Sequence, residues 1–336
     1  MKESILITGA SGFIGSFLTE EALARGMQVW AGIRSTSRRR YLQQRELHLL
    51  ELDMARPDRL KAQLASHKAA NGRWDYVIHC AGATKCADKA DFDRTNYQQT
   101  RHLVEALGEL EMMPRQLIFL SSLSIYGPIH EQDRKPICET DTPQPNTAYA
   151  QSKLKAEQYL QSIEGLPYVI FRPTGVYGPR ERDYFLMVQS ISRHIDTAAG
   201  FGRQDLTFVY VRDVVQAVFR SIERHIVRRT YLLSDGQVYS SSTFSQLIRQ
   251  ELGNPWVVRL TFPLWMLRLV SGVAEWWARL HGKASTLNSD KYRIMKQRNW
   301  QCDISPAVSE LGYQPQYDLP RGVAECVAWY KQEGWI

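Results

Sequence analysis

No apolar run in this 336-residue chain is long enough to cross a bilayer, because charged residues interrupt every stretch. Cysteine is scarce and scattered. Cys80, Cys86, Cys138, Cys302 and Cys326 match no spacing of a zinc site, a redox pair or a disulfide framework. The odd count predicts free thiols in a reducing compartment, and no metal is expected. No basic–aromatic platform accompanies the formal charge of +7, so nucleic acid is not an expected partner. That charge fits either attraction of an anionic cofactor or a solvated surface. Internal repeats and low-complexity tracts are absent as well. Met1-Lys2-Glu3 leads straight into an apolar strand, so no secretory signal is expected and the predicted location is cytoplasmic.

What remains is an ordinary globular composition, 44% hydrophobic and 23% charged. Short runs rich in Ile, Leu, Val and aromatics recur at Ser4–Thr8, Gln28–Ile33, 47–52, 76–80, Gln116–Leu120 and 168–171. Segments between them, such as 13–25 and 96–110, carry helical periodicity. Near-continuous apolar strands with helical crossovers predict an α/β fold with a Rossmann-type doubly wound parallel sheet. After about Arg180 the alternation weakens, and Gly, Pro and Trp become frequent. The expected organisation is a dinucleotide-binding core over 1–180 and a smaller substrate-binding lobe over 181–336. Residues from about 205 to 235 are expected to return to the core.

Ile5-Leu-Ile-Thr-Gly9-Ala-Ser-Gly12-Phe-Ile-Gly15 sets three glycines between a strand and a helix. Gly9 permits a tight turn, Gly12 lets backbone approach a pyrophosphate, and Gly15 allows close helix–strand packing. The G-x-x-G-x-x-G spacing departs from the simple G-x-G-x-x-G fingerprint, so the strand–turn–helix context carries the reading.

The end of the second strand discriminates between nicotinamide cofactors. An acidic residue there binds the ribose hydroxyls of NAD, whereas an arginine accommodates the 2′-phosphate of NADP. Here Arg34 is followed by Ser35, Thr36 and Arg38-Arg39-Arg40, with no carboxylate before Glu46. The alternative is a solvated basic loop. The phosphate reading predicts NADP(H) as the preferred cofactor, with NAD(H) as the second choice. Asp53, after the third strand, suits either a hydrogen bond to the adenine amino group or a helix N-cap before Arg56-Pro57.

In Asn146-Thr-Ala-Tyr149-Ala-Gln-Ser-Lys153, the tyrosine and lysine are four apart and share a helix face. A lysine beside a tyrosine lowers the phenol pKa and makes it a usable proton carrier. Upstream, Phe119-Leu-Ser-Ser-Leu-Ser-Ile-Tyr-Gly127 is a strand ending in clustered hydroxyls.

Together these segments resemble the extended short-chain dehydrogenase/reductase family (NAD-dependent epimerase/dehydratase-like), over essentially the whole chain. His79-Cys-Ala-Gly-Ala-Thr84, Asn96, Arg172-Pro-Thr-Gly-Val-Tyr-Gly-Pro179, Phe208-Val-Tyr-Val-Arg-Asp213, Leu311-Gly-Tyr-Gln-Pro315 and Trp329-Tyr330 extend the likeness. The resemblance implies that Ser122 binds the substrate oxygen, with Ser124 second to it and Ser121 only completing the strand. It implies that Tyr149 transfers the proton while Lys153 holds the nicotinamide ribose. Asn96 supports the backbone near the site, and Arg172, Asp213 and Trp329 are architectural. The implied cofactor contacts are Gly9, Ser11, Gly12, Phe13, Ile14, Gly15, Arg34, Ser35, Asp53, Met54, Cys80, Ala81, Gly82, Thr84, Tyr149, Lys153 and Pro173. Family members often dimerise through the helices of 96–110 and 149–161, so a homodimer is expected.

Departures from the sugar-nucleotide pattern steer the choice of reaction. Leu123-Ser124 stand where dehydratases resemble an Asp-Glu pair, which disfavours elimination. Gly175 replaces an asparagine, and Leu206 replaces an arginine that serves a substrate diphosphate, although Arg203 or Arg180 can substitute. These variants look like the dihydroflavonol reductase and 3-beta-hydroxysteroid dehydrogenase branch. The expected function is an NADP(H)-dependent oxidoreductase interconverting a ketone and a secondary alcohol on a bulky hydrophobic substrate, sterol-like, lipid-derived or polyketide-like. The alternatives are a nucleotide-sugar epimerase or reductase, and a non-catalytic dinucleotide sensor.

Pro263–His281 bears on the same choice. As a helix it aligns Arg268, Gly272, Glu275 and Arg279, with Leu264, Trp265, Leu267, Leu269, Val270, Trp276, Trp277 and Leu280 around the rest. That wide apolar arc fits a buried lobe helix, a pocket wall, a dimer contact or a peripheral membrane contact.

Overall fold

The apolar runs become strands β1 (Ser4–Thr8), β2 (Gln28–Ile33), β3 (His48–Glu51), β4 (Tyr76–His79), β5 (Gln116–Leu120) and β6 (Tyr168–Pro173), joined at one edge by β7 (Arg229–Leu233). This is a computed structural model, and it describes residues 2–280 and 288–336. The sheet order is β7-β6-β5-β4-β1-β2-β3, and the pairs from β6 across to β3 are parallel. Reversal of strand order at β1 and β4 creates the switch point outside whose carboxyl ends ligands bind in such sheets. The architecture is the expected α/β Rossmann-type doubly wound sheet, with further helices and short strand pairs toward the C-terminus.

Side chains alternate across the sheet with period two. Leu6, Val77, Leu117 and Phe119 face one core cluster with Leu60 and Leu64 of α2 (Pro57–Asn71). Leu103 and Leu107 of α3 (Gln99–Glu109) and Ala156 and Leu160 of α4 (Ala148–Ser162) complete it. The alternate positions Ile5, Ile7, Val29, Ile78, Ile118 and Val169 are fully buried too, so both faces are covered. This explains why the strands read as continuous apolar runs.

The helix expected from residue 96 begins differently. Asp93–Gln98 is wound as a π-helix and runs on into α3, which puts a wider turn at Asn96. Two compact units divide the chain. One comprises Met1–Ser122, Ala148–Arg172 and Ala217–Tyr231, and the other Leu123–Thr147, Pro173–Gln216 and Leu232–Ile336. In the second unit Phe208–Tyr210 pairs with Gly175–Tyr177, Asp205–Leu206 with Tyr239–Ser240, and Val258–Phe262 with Ile195–Ala199.

Candidate active site

The glycine turn links β1 to α1 (Phe13–Ala24). Gly9 has φ +70°, and a Cβ there would lie 2.7 Å from the Ala81 nitrogen. A Cβ on Gly15 would lie 2.2 Å from the Gly9 carbonyl oxygen. Both glycines are therefore obligatory for the close approach of turn, helix and the β4 loop. Gly12 is exposed, and a Cβ on it would meet only the Gly9 oxygen, at 3.2 Å. No side chain caps α1, and its first turn holds no acidic residue. An uncapped N-terminus beside an open glycine fits a pyrophosphate. Ser11, Phe13 and Ile14 sit half-buried around it.

The loop after β4 packs beside this turn. Burial pushes the Cys80 thiol up to about 11, against the opposing influence of Lys153 and the Gly15 backbone. Gly82 is exposed, and a Cβ on it would stand 3.0 Å from Asn96 Oδ1 and 3.4 Å from Lys153 Nζ. Asn96 secures the loop: its Oδ1 accepts from the Ala83 N–H at 2.7 Å, and its Nδ2 donates to the Ala83 carbonyl and to Ser152 Oγ at 3.0 Å each. Ser152 Oγ in turn donates to the Tyr149 carbonyl at 2.7 Å. Asn96 is thus a brace between the loop and α4.

His79 carried no expected role of its own. It is 1% exposed, with Nδ1 at 2.7 Å from Thr8 Oγ1 and Nε2 at 2.9 Å from Thr100 Oγ1. Thr100 donates to the Asn96 carbonyl at 2.7 Å, so it accepts from Nε2–H, and Nδ1 accepts from Thr8. Burial, reinforced by Lys153, lowers this imidazole to about 3 and keeps it neutral. Its partners lie 71 and 21 residues away, so no local signal marks the network.

Lys153 is 5% exposed, and its Nζ donates to the Leu120 carbonyl at 2.7 Å while sitting 4.6 Å from the Phe119 ring centre. Burial pulls the amine down to about 8, against the opposing influence of Cys80 and Glu157. Tyr149 is half-buried and hydrogen-bonded to Ser122. Burial pushes its phenol up to about 12, and Ser122 is the contact that lowers it. The downward shift expected from Lys153 is not what sets this phenol at rest, where burial dominates.

The structure therefore gathers Gly9, Gly15, Cys80, Ala81, Gly82, Ser122, Tyr149 and Lys153 within one unit. Ser121 donates its N–H to the Phe171 carbonyl at 2.7 Å, continuing the strand, and Ser124 is buried. Arg34 and Ser35 are exposed on a separate turn closed by Ser37, whose Oγ accepts from the Arg34 N–H at 3.0 Å. Asp53 is not an N-cap, since Arg56 holds that position; its carboxylate pairs with Arg56 and Arg59 at 3.2 and 3.4 Å. Met54 is 8% exposed in the core, Thr84 is exposed, and Pro173 ends β6. Arg172 pairs with fully buried Glu157 at 2.6 Å, and Asp213 accepts from the Gln316 and Tyr317 N–H groups at 2.8 and 3.1 Å. Both are architectural.

Residues 5–233 match the model of the NAD dependent epimerase/dehydratase family. An uncharacterized UDP-glucose epimerase of Bacillus subtilis (strain 168) is 26% identical over 346 residues, covering 97% of each chain. The UDP-glucose 4-epimerase of Thermotoga maritima, solved with UDP-glucose, shares the fold with TM-score 0.79 at 22% identity, over 98% of this chain and 99% of its own. A Bordetella bronchiseptica enzyme in complex with NAD and UDP has TM-score 0.77 at 20% identity, over 99% and 96%.

These matches correct three expectations. The NADP(H) preference falls, because relatives of this fold are solved with NAD. Its main support was Arg34, which sits exposed on a turn that Ser37 closes upon its own backbone. The ketone–alcohol reductase reading and its hydrophobic substrate fall too, since the family match is to epimerases and dehydratases and the similar solved structures include enzymes named for nucleotide sugars. For the dihydroflavonol and hydroxysteroid branch, the match establishes only the wider family. That reading leaned on Gly175 and Leu206, and both have packing reasons. A Cβ on Gly175 would lie 2.4 Å from the Tyr184 hydroxyl, and Leu206 pairs with Tyr239 in a short strand. It leaned also on 263–281. In the helix Leu264–Leu280, Leu267 is buried while Trp265, Leu269, Val270, Val273 and Trp277 are exposed, so these five line no greasy pocket. No helix among the described residues is long and apolar enough to cross a membrane. The side chains of Trp276, Arg279 and Leu280, and residue His281, lie outside the described ones.

Proposed function

The chain belongs to the NAD dependent epimerase/dehydratase family, an NAD(P)-dependent enzyme class acting on CH–OH groups, and from that premise we propose that it is an NAD-dependent epimerase of a UDP-sugar. The observation that carries the reading is the hydrogen-bonded Tyr149–Ser122 pair and Lys153 in the same unit as the glycine turn. Epimerisation is favoured over dehydration by Leu123, 1% exposed where an acid–base pair would begin. The second unit is assigned to the substrate, and a cytoplasmic homodimer through α3 and α4 belongs to the same proposal.

NAD, when bound, supplies reversible hydride exchange with the sugar carbon. Ser122 donates its hydroxyl proton to the substrate oxygen and fixes its position. Tyr149 carries the proton of that oxygen, taking it on oxidation and returning it on reduction. A phenol near 12 stays protonated at rest, so its activation requires the site's own positive charge, Lys153, one helical turn away. Gly9, Gly12, Gly15 and the N-terminus of α1 hold the pyrophosphate.

The test is conversion of UDP-glucose to its C4 epimer, followed by proton NMR, with wild type and Tyr149→Phe. Wild type converts it, and the variant is slower by at least about a hundred-fold. Equal rates, or no epimer from any UDP-sugar with wild type, would overturn the assignment.

A further inference from the structure

Gly175 has an unusual neighbour. It sits in the short strand Gly175–Tyr177, and the atom nearest to any added Cβ is the Tyr184 hydroxyl, 2.4 Å away; Phe208 follows at 3.4 Å. The absent side chain is what leaves room for that hydroxyl. Tyr184 stands in the first turn of the helix Asp183–Ser192, where Glu181 accepts from the Asp183 and Tyr184 N–H groups at 2.8 and 2.6 Å. Its ring stacks on Phe244 at 4.9 Å and 14°, with the Tyr177 and Phe208 rings edge-on at 6.3 and 6.0 Å. A ring clamped on three sides cannot swing its hydroxyl away at low cost.

Among the described residues that hydroxyl has no hydrogen-bond partner, although aromatic rings surround the rest of the side chain. A phenol fixed in an apolar clamp and unpaired at its tip is a preorganised donor awaiting an acceptor. The strand of Gly175 begins two residues after β6 ends, and residues just beyond the carboxyl ends of such strands contact ligands.

We propose that Tyr184, given its place by the missing side chain of Gly175, is a specificity-determining residue whose hydroxyl donates to an oxygen of the nucleotide sugar. This rests on the UDP-sugar reading above. The pair acts as one device: the glycine makes the space and the tyrosine fills it with a donor.

The experiment is calorimetric titration of the NAD-loaded full chain with UDP-glucose and, separately, with UDP. Wild type, Tyr184→Phe, Gly175→Ala and the double variant are compared. Tyr184→Phe keeps the stacked ring, and its Kd for UDP-glucose is expected to rise about three- to ten-fold. Gly175→Ala displaces the hydroxyl and is expected to weaken binding to a similar extent. In the double variant the two effects do not add, because both act through one hydroxyl. A loss shared by UDP places the contact on the diphosphate nucleotide; a loss confined to UDP-glucose places it on the sugar. Thermal melting checks folding, and if Gly175→Ala melts early, Tyr184→Phe alone carries the comparison. Unchanged affinity in Tyr184→Phe, or full additivity in the double variant, overturns this inference and leaves the UDP-sugar reading intact. Failure of wild type to bind either ligand removes both.

Discussion

Lys153→Met tests whether burial sets the electrostatics of the site. At 5% exposure, the Lys153 amine stands at about 8 instead of its ordinary 10.5. Between these values the unfolded chain holds a proton that the folded chain has released, so wild-type stability rises with pH across that window. Below pH 8 both states are protonated, and the cost of the buried ammonium is fully present. At ~1.36 kcal/mol per pKa unit, the depression corresponds to about 3 kcal/mol. Methionine has similar length and no charge, so this titration disappears while those common to both proteins cancel in the difference. Against the gain stands the Leu120 carbonyl, which loses its donor at 2.7 Å, a loss of about 1–3 kcal/mol. Urea unfolding followed by circular dichroism at pH 7, 8, 9 and 10 gives the gap between variant and wild type. Relative to wild type, the variant should lose about 3 kcal/mol from the bottom to the top of that range, nearly all of it above pH 8. It should be inactive throughout. Parallel stability curves would refute the reasoning, since they would mean that the amine titrates alike in the folded and unfolded chain.

Gly15→Ala forces a methyl to within 2.2 Å of the Gly9 oxygen, backbone that cannot step aside. Destabilisation of about 1–3 kcal/mol and loss of NAD binding are expected, read by melting and by quenching of protein fluorescence; undiminished NAD affinity would count against the turn as pyrophosphate site. Glu157→Gln leaves the Arg172 guanidinium buried without its countercharge, which should cost about 3–5 kcal/mol in urea unfolding. Replacing both residues together, Glu157→Leu with Arg172→Met, should recover most of that loss, and no recovery would show that the pair is needed for more than charge balance.

The sheet was legible because its strands are buried on both faces, and such strands write themselves as unbroken apolar runs. Gly9 and Gly15 were legible for a related reason: local backbone geometry allows nothing larger there. The π-wound Asp93–Gln98 was not, since its wider turn has no signature in a 3.6-residue pattern. Nor was the His79 network, whose partners come together only once β1, β4 and α3 are in place. Tyr149 and Lys153 were placed correctly on one helix. Their charge states follow from burial, which spacing does not report.

Specificity was where linear reading went astray. Leu206 was taken as a loss from a diphosphate site and Gly175 as the loss of a sugar-pattern asparagine, and two losses were then read as a gain of apolar function. A missing group has two physical meanings: the ligand group it served is absent, or another residue has taken its space. Gly175 answers to the second, because the room its side chain would need is occupied by the Tyr184 hydroxyl. Arg34 shows the converse, a residue present with the right chemistry for a 2′-phosphate but exposed on a turn closed on itself. In both cases identity alone was ambiguous, and the deciding quantity was what lies within a few ångströms. The apolar helix Leu264–Leu280 makes the same point on a larger scale. Its Trp265 and Trp277 are 65% and 60% exposed, so a composition that reads as a pocket wall belongs instead to the surface of the chain.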